Sequence, residues 1–420
     1  MKILFINNIA AYGKGGGSQI AAVRIFNAML EIGVNVDLGV LTKEISNEHI
    51  FELPQNPNLE ADMKKISNDK LLQTTNSAIH FMNRLSKASV EWINESDYDI
   101  VHIHHIVGSV LSIEDIAKIK KPIVWTMHDS WIFCGAEQHP NVLENDIRFE
   151  QGYYENNFPT TSSRVNICRL TWERKKKAWK DVKFNFISVS NHHAQCLNKS
   201  ALFKGQAAKV IPNIIPNIFK PQKVTEFKKI LNIPLYRKII GFGAVGDING
   251  KKSIKGSWYL IKALERLKNK EDYFAVIFGP ASGEFLGKMP IKYFASGSIG
   301  NESFLSVFYN MLDVFVCPSI IENLPNVCVE AMFCGVPVTA FETGGIPDIV
   351  KHKKTGYLAK PFVASDLARG IEFCLGNQKE LSRNSLKRAK SDYFSEKFIV
   401  EEHLKVYREI FNSIKKNVVE

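Results

Sequence analysis

Short apolar runs rich in β-branched residues recur along this chain, and between them lie segments whose apolar positions repeat at helical spacing. The runs are KILFIN (2–7), NVDLGVL (35–41), DIVHIHH (99–105), KPIVWTMHD (121–129), KFNFISVS (183–190) and AKVIPNII (208–215). Among the intervening segments, SQIAAVRIFNAMLEIG (18–33) places Ile20, Val23 and Leu30 on one helical face and stops at Gly33, and residues 71–95 read as a further helix. Residues 44–70 are polar and weakly patterned. Strands that are apolar on both faces, alternating with helices, belong to parallel sheets covered on both sides.

The pattern restarts after a proline-bearing stretch, PNIFKPQKVTEFKKILNIPLYR (216–237). Strand-like runs then fall at 237–245, 273–280, 292–299, 313–319 and 336–341, with helices expected at 256–270, 301–312, 325–334, 363–376 and 394–416. The 420 residues exceed what one core ordinarily organises, so two domains are expected. They read as a first domain over 1–215, a linker over 216–236, a second domain over 237–400, and a C-terminal helix over 401–420 that crosses back to the first.

Composition narrows the classes. No apolar run is long enough to span a bilayer, and MKILFINNIAAYG reads as a first buried strand rather than a leader, because Asn7 and Asn8 interrupt it. Seven cysteines without a Cys-x-x-Cys pair suit buried thiols in a reducing cytoplasm. The net charge of +11 is uneven: 25 basic against 22 acidic residues over 1–220, and 29 against 21 over 221–420. Residues 164–183 hold eight basic side chains against two acidic ones, together with Trp172 and Trp179. Such a strip fits either a solvated helix with one buried aromatic stripe or a helix lying on an anionic membrane at the inner face. Nothing points to nucleic acid.

The stretch SIIENLPNVCVEAMFCGVPVTAFETGGIPDIV (319–350) carries the densest chemistry. Asn323 reads as a helix N-cap, Pro325 as a first-turn residue and Gly335 as the left-handed stop. A helix start after a strand offers free N–H groups to an anion. Glu322 stands just before that start and suits hydrogen bonding to sugar hydroxyls or support of a neighbouring cation. Glu330 lies two turns on, where an acidic side chain can take paired ribose hydroxyls.

This block resembles the retaining family 4 glycosyltransferases (glycosyl transferases group 1). The resemblance rests on Pro318-Ser319, Glu322, Glu330-Ala331-Met332, Gly335-Val336-Pro337-Val338, and Gly344-Gly345 through Asp348 and Val350. It implies the α/β GT-B fold, two Rossmann-like doubly wound domains with an interdomain cleft. Lys255-Gly256 resembles the family's Lys-Gly pair, whose lysine holds the donor diphosphate. The family's Gly-Arg pair has no counterpart here, and Lys251 or Lys252 are the nearest cations. In the first half, Gly15, Gly16 and Gly17 resemble the family's glycine loop, and TMHDSW resembles the motif that sets a histidine near the transferred sugar. The implied catalytic residues are His128, Lys255 and Glu322. The implied substrate contacts are Gly16, Gly17, Asp129, Lys255, Ser319, Glu322, Asn323, Leu324 and Glu330.

The resemblance implies a UDP- or GDP-sugar donor, a saccharide or lipid-linked saccharide acceptor, retention of configuration and no obligatory metal or other cofactor. Surface polysaccharide or lipopolysaccharide assembly is the expected setting, with a cytoplasmic, membrane-peripheral location. A nucleotide-sugar epimerase and a non-catalytic nucleotide-sugar-binding protein stay open as other classes. His102, His104 and His105 read as structural. A metal site built from them with Cys134, His139 and Cys168 matches no standard zinc spacing.

Overall fold

The computed structural model describes residues 1–11, 15–66, 72–73, 80–157, 165–243 and 253–419. They form two compact units: residues 1–11, 18–211 and 400–420 make one, and residues 12–17 and 212–399 the other.

The first unit is built on seven parallel strands: β1 (Ile3–Ile6), β2 (Val36–Val40), β3 (Ile50–Glu52), β4 (Ile100–Ile103), β5 (Ile123–Met127), β6 (Phe184–Ser188) and β7 (Ala208–Val210). Their order across the sheet is β3-β2-β1-β4-β5-β6-β7. Every residue of β1, β4 and β5 is buried, as expected of strands covered on both faces. The helices that matter below are α1 (Gly17–Glu31), α2 (Ile167–Ala178) and α3 (Asn191–Lys199).

The second unit repeats the plan with β8 (Lys238–Gly243), β9 (Tyr273–Phe278), β10 (Tyr293–Ala295), β11 (Val314–Cys317), β12 (Val338–Phe341) and β13 (Gly356–Ala359). Their order is β10-β9-β8-β11-β12-β13. Both sheets therefore start at a central strand, step outward twice, and return to its other side, the order of dinucleotide-binding folds. The relevant helices are α4 (Ser257–Leu264), α5 (Glu302–Asn310), α6 (Asn326–Phe333), α7 (Ala364–Gly376) and α8 (Glu396–Val419).

Three expectations from the sequence need correction. The helix expected over 71–95 is, among the described residues, a helix only at Val90–Glu95; Ser89 caps it by accepting from the Trp92 N–H. The weakly patterned segment 44–70 holds the edge strand β3 and the helix Leu59–Ile66. Residues 216–236, expected as a linker, pack onto the second unit. Phe219 is buried against Tyr309, the Gln222 N–H donates to Asn310 Oδ1 at 2.7 Å, and the Gln222 amide donates to Ser306 Oγ at 2.9 Å. Local composition showed prolines; it could not show the aromatic socket that receives Phe219.

From Val400 on, α8 belongs to the first unit. It is held there by Lys209–Glu402 at 2.7 Å and by a buried polar stack. His102, a polar residue inside an otherwise apolar strand, is fully buried. It bonds Tyr407 Oη through Nδ1 at 2.6 Å and Thr126 Oγ1 through Nε2 at 2.8 Å. Satisfying both ring nitrogens is what makes a histidine tolerable at that depth. His104 stacks beside it at 4.2 Å between ring centroids.

Burial, followed by neighbouring histidine charge, holds the His102 and His104 pKa values well below the usual imidazole value. The unfolded chain takes up these protons near pH 6.5 while the folded chain refuses them. Stability present above that pH is therefore lost as pH falls. Urea denaturation at pH 7, 6 and 5 is expected to show a steep loss. His102→Gln is expected to reduce that slope by about 1.4 kcal/mol per pH unit.

Candidate functional site

In the second unit the strand order reverses between β8 and β11. Helices leave the sheet on opposite sides at such a point, and the crevice beyond the carboxyl ends of the strands is where ligands of these folds bind. Two loops meet there: residues 253–256, which open α4, and residues 318–325, which connect β11 to α6. They are tied together by the Ile320 N–H donating to the Ile254 carbonyl at 2.8 Å.

Two glycines allow the loops to close up. Gly256 has φ +70°, and a β-carbon on it would stand 1.8 Å from the Pro318 carbonyl oxygen. Gly344 has φ +53°, and a β-carbon there would stand 1.7 Å from the Glu322 carbonyl oxygen. The neighbouring Gly345 N–H donates to that same carbonyl at 3.3 Å. Both positions need left-handed backbone and bare Cα hydrogens at once, which only glycine supplies.

This closure sets Lys255 Nζ 2.7 Å from Glu322 Oε1. Burial penalises the Lys255 ammonium, but the charge of Glu322 and the hydrogen bond to it more than offset that, so the Lys255 pKa lies above the usual lysine value. Lys255 is therefore charged throughout the neutral range. The side chains keep 24 % and 13 % exposure, enough to be reached from solvent. Helix α6 begins close by. Its N-cap is Pro325 with no side-chain cap, and Asn323, expected in that role, is instead buried in the loop. The first N–H groups of α6 are thus left without a capping side chain. Ser319 and Leu324 are buried beside them.

Glu330 is buried on α6, and Oε2 accepts a hydrogen bond from the fully buried Tyr309 hydroxyl at 2.8 Å. Burial, and next the Glu330 charge, drives the Tyr309 pKa well above the phenol range, so the hydroxyl stays a donor. Lys251 and Lys252 lie outside the described residues, as does Lys14 of the glycine loop. Gly16 precedes α1 and Gly17 opens it; the Gly17 carbonyl accepts from Asn326 Nδ2 at 3.1 Å, and residues 15–17 group with the second unit.

The first unit carries a second polar constellation, again where its strand order reverses, between β1 and β4 and extending to β5. His128 follows β5 directly, is half-buried, and shares a hydrogen bond between Nε2 and His104 Nδ1 at 3.1 Å. Burial, then the neighbouring His105 and His403, push its pKa down to about 3. His128 is accordingly a neutral imidazole at physiological pH and a weak base. Asp129 shapes its own loop: Oδ1 accepts from the Trp131 N–H at 3.0 Å and Oδ2 from Gln138 Nε2 at 3.1 Å. Gln138 also contacts His105 at 3.3 Å. Sequence reasoning passed over Gln138 and Tyr309, which carry no motif of their own.

The tryptophans of the basic strip face inward. Trp172 and Trp179 are 3 % and 5 % exposed, which excludes them as membrane anchors. Lys175 is fully buried, its ammonium donating to the carbonyls of Trp131, Cys134 and Gly135. Lys176, Lys177, Lys180 and Lys183 remain exposed. No helix among the described residues is long and apolar enough to cross a membrane.

Two doubly wound units, the second with a Lys255–Glu322 pair at its strand reversal, form an architecture that hosts many activities, and comparison with known proteins narrows the class. Residues 224–392 match the family model "Glycosyl transferases group 1". An N-acetyl-alpha-D-glucosaminyl L-malate synthase from Bacillus anthracis is 30 % identical over 339 residues, 79 % of this chain and 78 % of the relative. An uncharacterised glycosyltransferase from Haemophilus influenzae is 24 % identical over 411 residues, 95 % and 97 % of the two chains. The crystal structure of Anabaena Alr3699/HepE in complex with UDP superposes with a TM-score of 0.64 at 16 % identity, covering 97 % of this chain and all of that one. The chain belongs to the group 1 glycosyltransferases, with the GT-B fold. It is a transferase of glycosyl groups.

The two glycine contacts can be tested directly. Gly256→Ala and Gly344→Ala are each expected to cost at least about 2 kcal/mol, from strained backbone plus the carbonyl clash. That corresponds to a fall of roughly 4–8 °C in melting temperature. Gly283→Ala, where an added methyl meets nothing within 4 Å, should melt like the wild type.

Proposed function

We propose that the protein is a retaining glycosyltransferase that moves a sugar from a UDP-sugar to an acceptor hydroxyl in the assembly of a cell-surface polysaccharide or lipopolysaccharide. The observation that carries this reading is the Lys255–Glu322 pair at the strand reversal of the second unit, beside the uncapped start of α6. A diphosphate entering there meets a permanently charged ammonium and outward N–H groups, the requirements for stabilising a departing anion. Glu322 holds Lys255 in place and offers carboxylate oxygens to sugar hydroxyls.

The neutrality of His128 bears on mechanism. An imidazole with a pKa of about 3 removes a proton from an alcohol poorly at neutral pH. It serves better as a hydrogen-bonding partner for the transferred sugar. The acceptor's proton then passes to the oxygen of the leaving diphosphate, on the face from which the nucleotide departs, and configuration at the anomeric carbon is retained. In this reading Gly16, Gly17 and Asp129 shape the surroundings, and Ser319, Asn323, Leu324 and Glu330 form the wall of the nucleotide site. UDP is favoured as the nucleotide because HepE was solved with UDP and with UDP-glucose. The WaaG structure, a glycosyltransferase involved in lipopolysaccharide biosynthesis, has the same fold with a TM-score of 0.58 and motivates the surface-glycan assignment. The exposed lysines of α2 and the residues after it suit an anionic membrane face near a lipid-linked acceptor by charge alone.

Thermal-shift measurements with UDP-, GDP- and ADP-sugars should show the largest rise in melting temperature with a UDP-sugar, since a ligand of the folded state stabilises it. Lys255→Ala and Glu322→Gln are each expected to cut transfer by about 10²–10³-fold, with product of unchanged anomeric configuration by NMR in the wild type. Wild-type rates in both variants would falsify the assignment of the site, and an inverted product would exclude the retaining mechanism.

A further inference from the structure

Three segments of the first unit converge away from His128. His80 forms an isolated antiparallel bridge with Glu137, and the Phe81 N–H donates to the Ala136 carbonyl at 2.7 Å. Gly135 runs so close to the first turn of α2 that a β-carbon on it would stand 2.5 Å from the Cys168 carbonyl oxygen. A ring nitrogen of His80, a carboxylate oxygen of Glu137 and the Cys168 sulfur are thereby brought within 4.8 Å of one another. The spacing of Cys168 with Cys134, His139, His102, His104 and His105 fits no standard zinc pattern; the fold brings Cys168 to His80 and Glu137.

The electrostatics of this cluster are incomplete. Glu137 and Cys168 are fully buried, and His80 is half-buried. Glu137 Oε1 accepts from the Tyr153 hydroxyl at 2.5 Å, while Oε2 is buried with no hydrogen-bond partner among the described residues. A buried carboxylate oxygen left in that state is costly. Arg148 compensates it only at longer range: its Nε and Nη2 bind both oxygens of Asp146 at 2.8 and 2.6 Å, and Nη2 forms a 3.8 Å ion pair with Oε1 of Glu137, leaving Oε2 without a hydrogen bond among the described residues. Lys175 spends its ammonium on three carbonyls.

We propose that this unit binds one zinc-class divalent ion through His80, Glu137 and Cys168, with water in the fourth position. One nitrogen, one oxygen and one sulfur donor form a set that zinc accepts in tetrahedral geometry at about 2.0–2.3 Å from each. The donors need only small movements to reach it. Binding releases the Cys168 thiol proton to solvent, so affinity rises with pH. Tyr153 then acts as the outer partner that orients the Glu137 carboxylate. The ion fastens the loop that begins at His128 to the start of α2, and so fixes the backbone on which that histidine stands. This is independent of the donor site in the second unit.

The test is titration of the full-length, chelator-treated protein with cobalt(II), followed by zinc. The expected result is a thiolate-to-cobalt absorption band that saturates at one equivalent, disappears on adding zinc, and is absent in Cys168→Ser. His80→Ala should weaken binding at least about tenfold. Cys196→Ser is the control, because Cys196 lies 3.5 Å from His192 on α3 and is the competing thiol–imidazole pair; it should leave the band intact. Absence of the band in the wild type, its survival in Cys168→Ser, or its loss in Cys196→Ser each overturns the proposal. If Cys168→Ser does not fold, unchanged cobalt affinity in His80→Ala overturns it as well.

Discussion

Backbone against backbone is the contact on which the placing of Lys255 and Glu322 in the second unit rests. Gly256 lies on the Pro318 carbonyl and Gly344 on the Glu322 carbonyl, closer than any side chain permits. Three loops, following β8, β11 and β12, are compressed into one layer by these contacts. Lysine and glutamate side chains are long and rotamer-rich, and an exposed pair of them is worth little. Seated on backbone that cannot shift, Lys255 and Glu322 are held at 2.7 Å and partly shielded. The cost of immobilising them is met in folding.

The first unit solves a different problem. It carries histidines inside its sheet, and a buried imidazole must be neutral and hydrogen-bonded. Tyr407, from the far C-terminal end of the chain, satisfies one nitrogen of His102, and Thr126 the other. This gives α8 a polar reason, in addition to an apolar one, for its place on the unit. Burial, then the neighbouring His105 and His403, lower the His128 pKa as well, and its Nε2 shares a hydrogen bond with His104. The histidine that the motif singles out is thereby kept as a neutral hydrogen-bonding group. Among the buried charged groups of the same unit, Arg148 is bound by Asp146 and pairs with Glu137 at 3.8 Å, Lys175 donates to three carbonyls, and Oε2 of Glu137 has no hydrogen-bond partner among the described residues.

Sequence alone determined the alternation of strands and helices, the division into two series and the identity of the block from Pro318 to Val350. Those features are local: an apolar run of four or five residues, a helical repeat and a glycine stop are each written within one element. The pairing of Lys255 with Glu322 was half legible, since motif gave both residues but not the ion pair between them. Tertiary structure alone decided the rest. Glu330 accepted a hydrogen bond from Tyr309, Trp172 and Trp179 went into the core, Pro325 displaced Asn323 as the cap, and the 216–236 segment docked through Phe219. The grouping of His80, Glu137 and Cys168 is of the same kind. Each depends on which surfaces distant segments present to one another, and hydrophobic period records that a face is buried without recording what it is buried against.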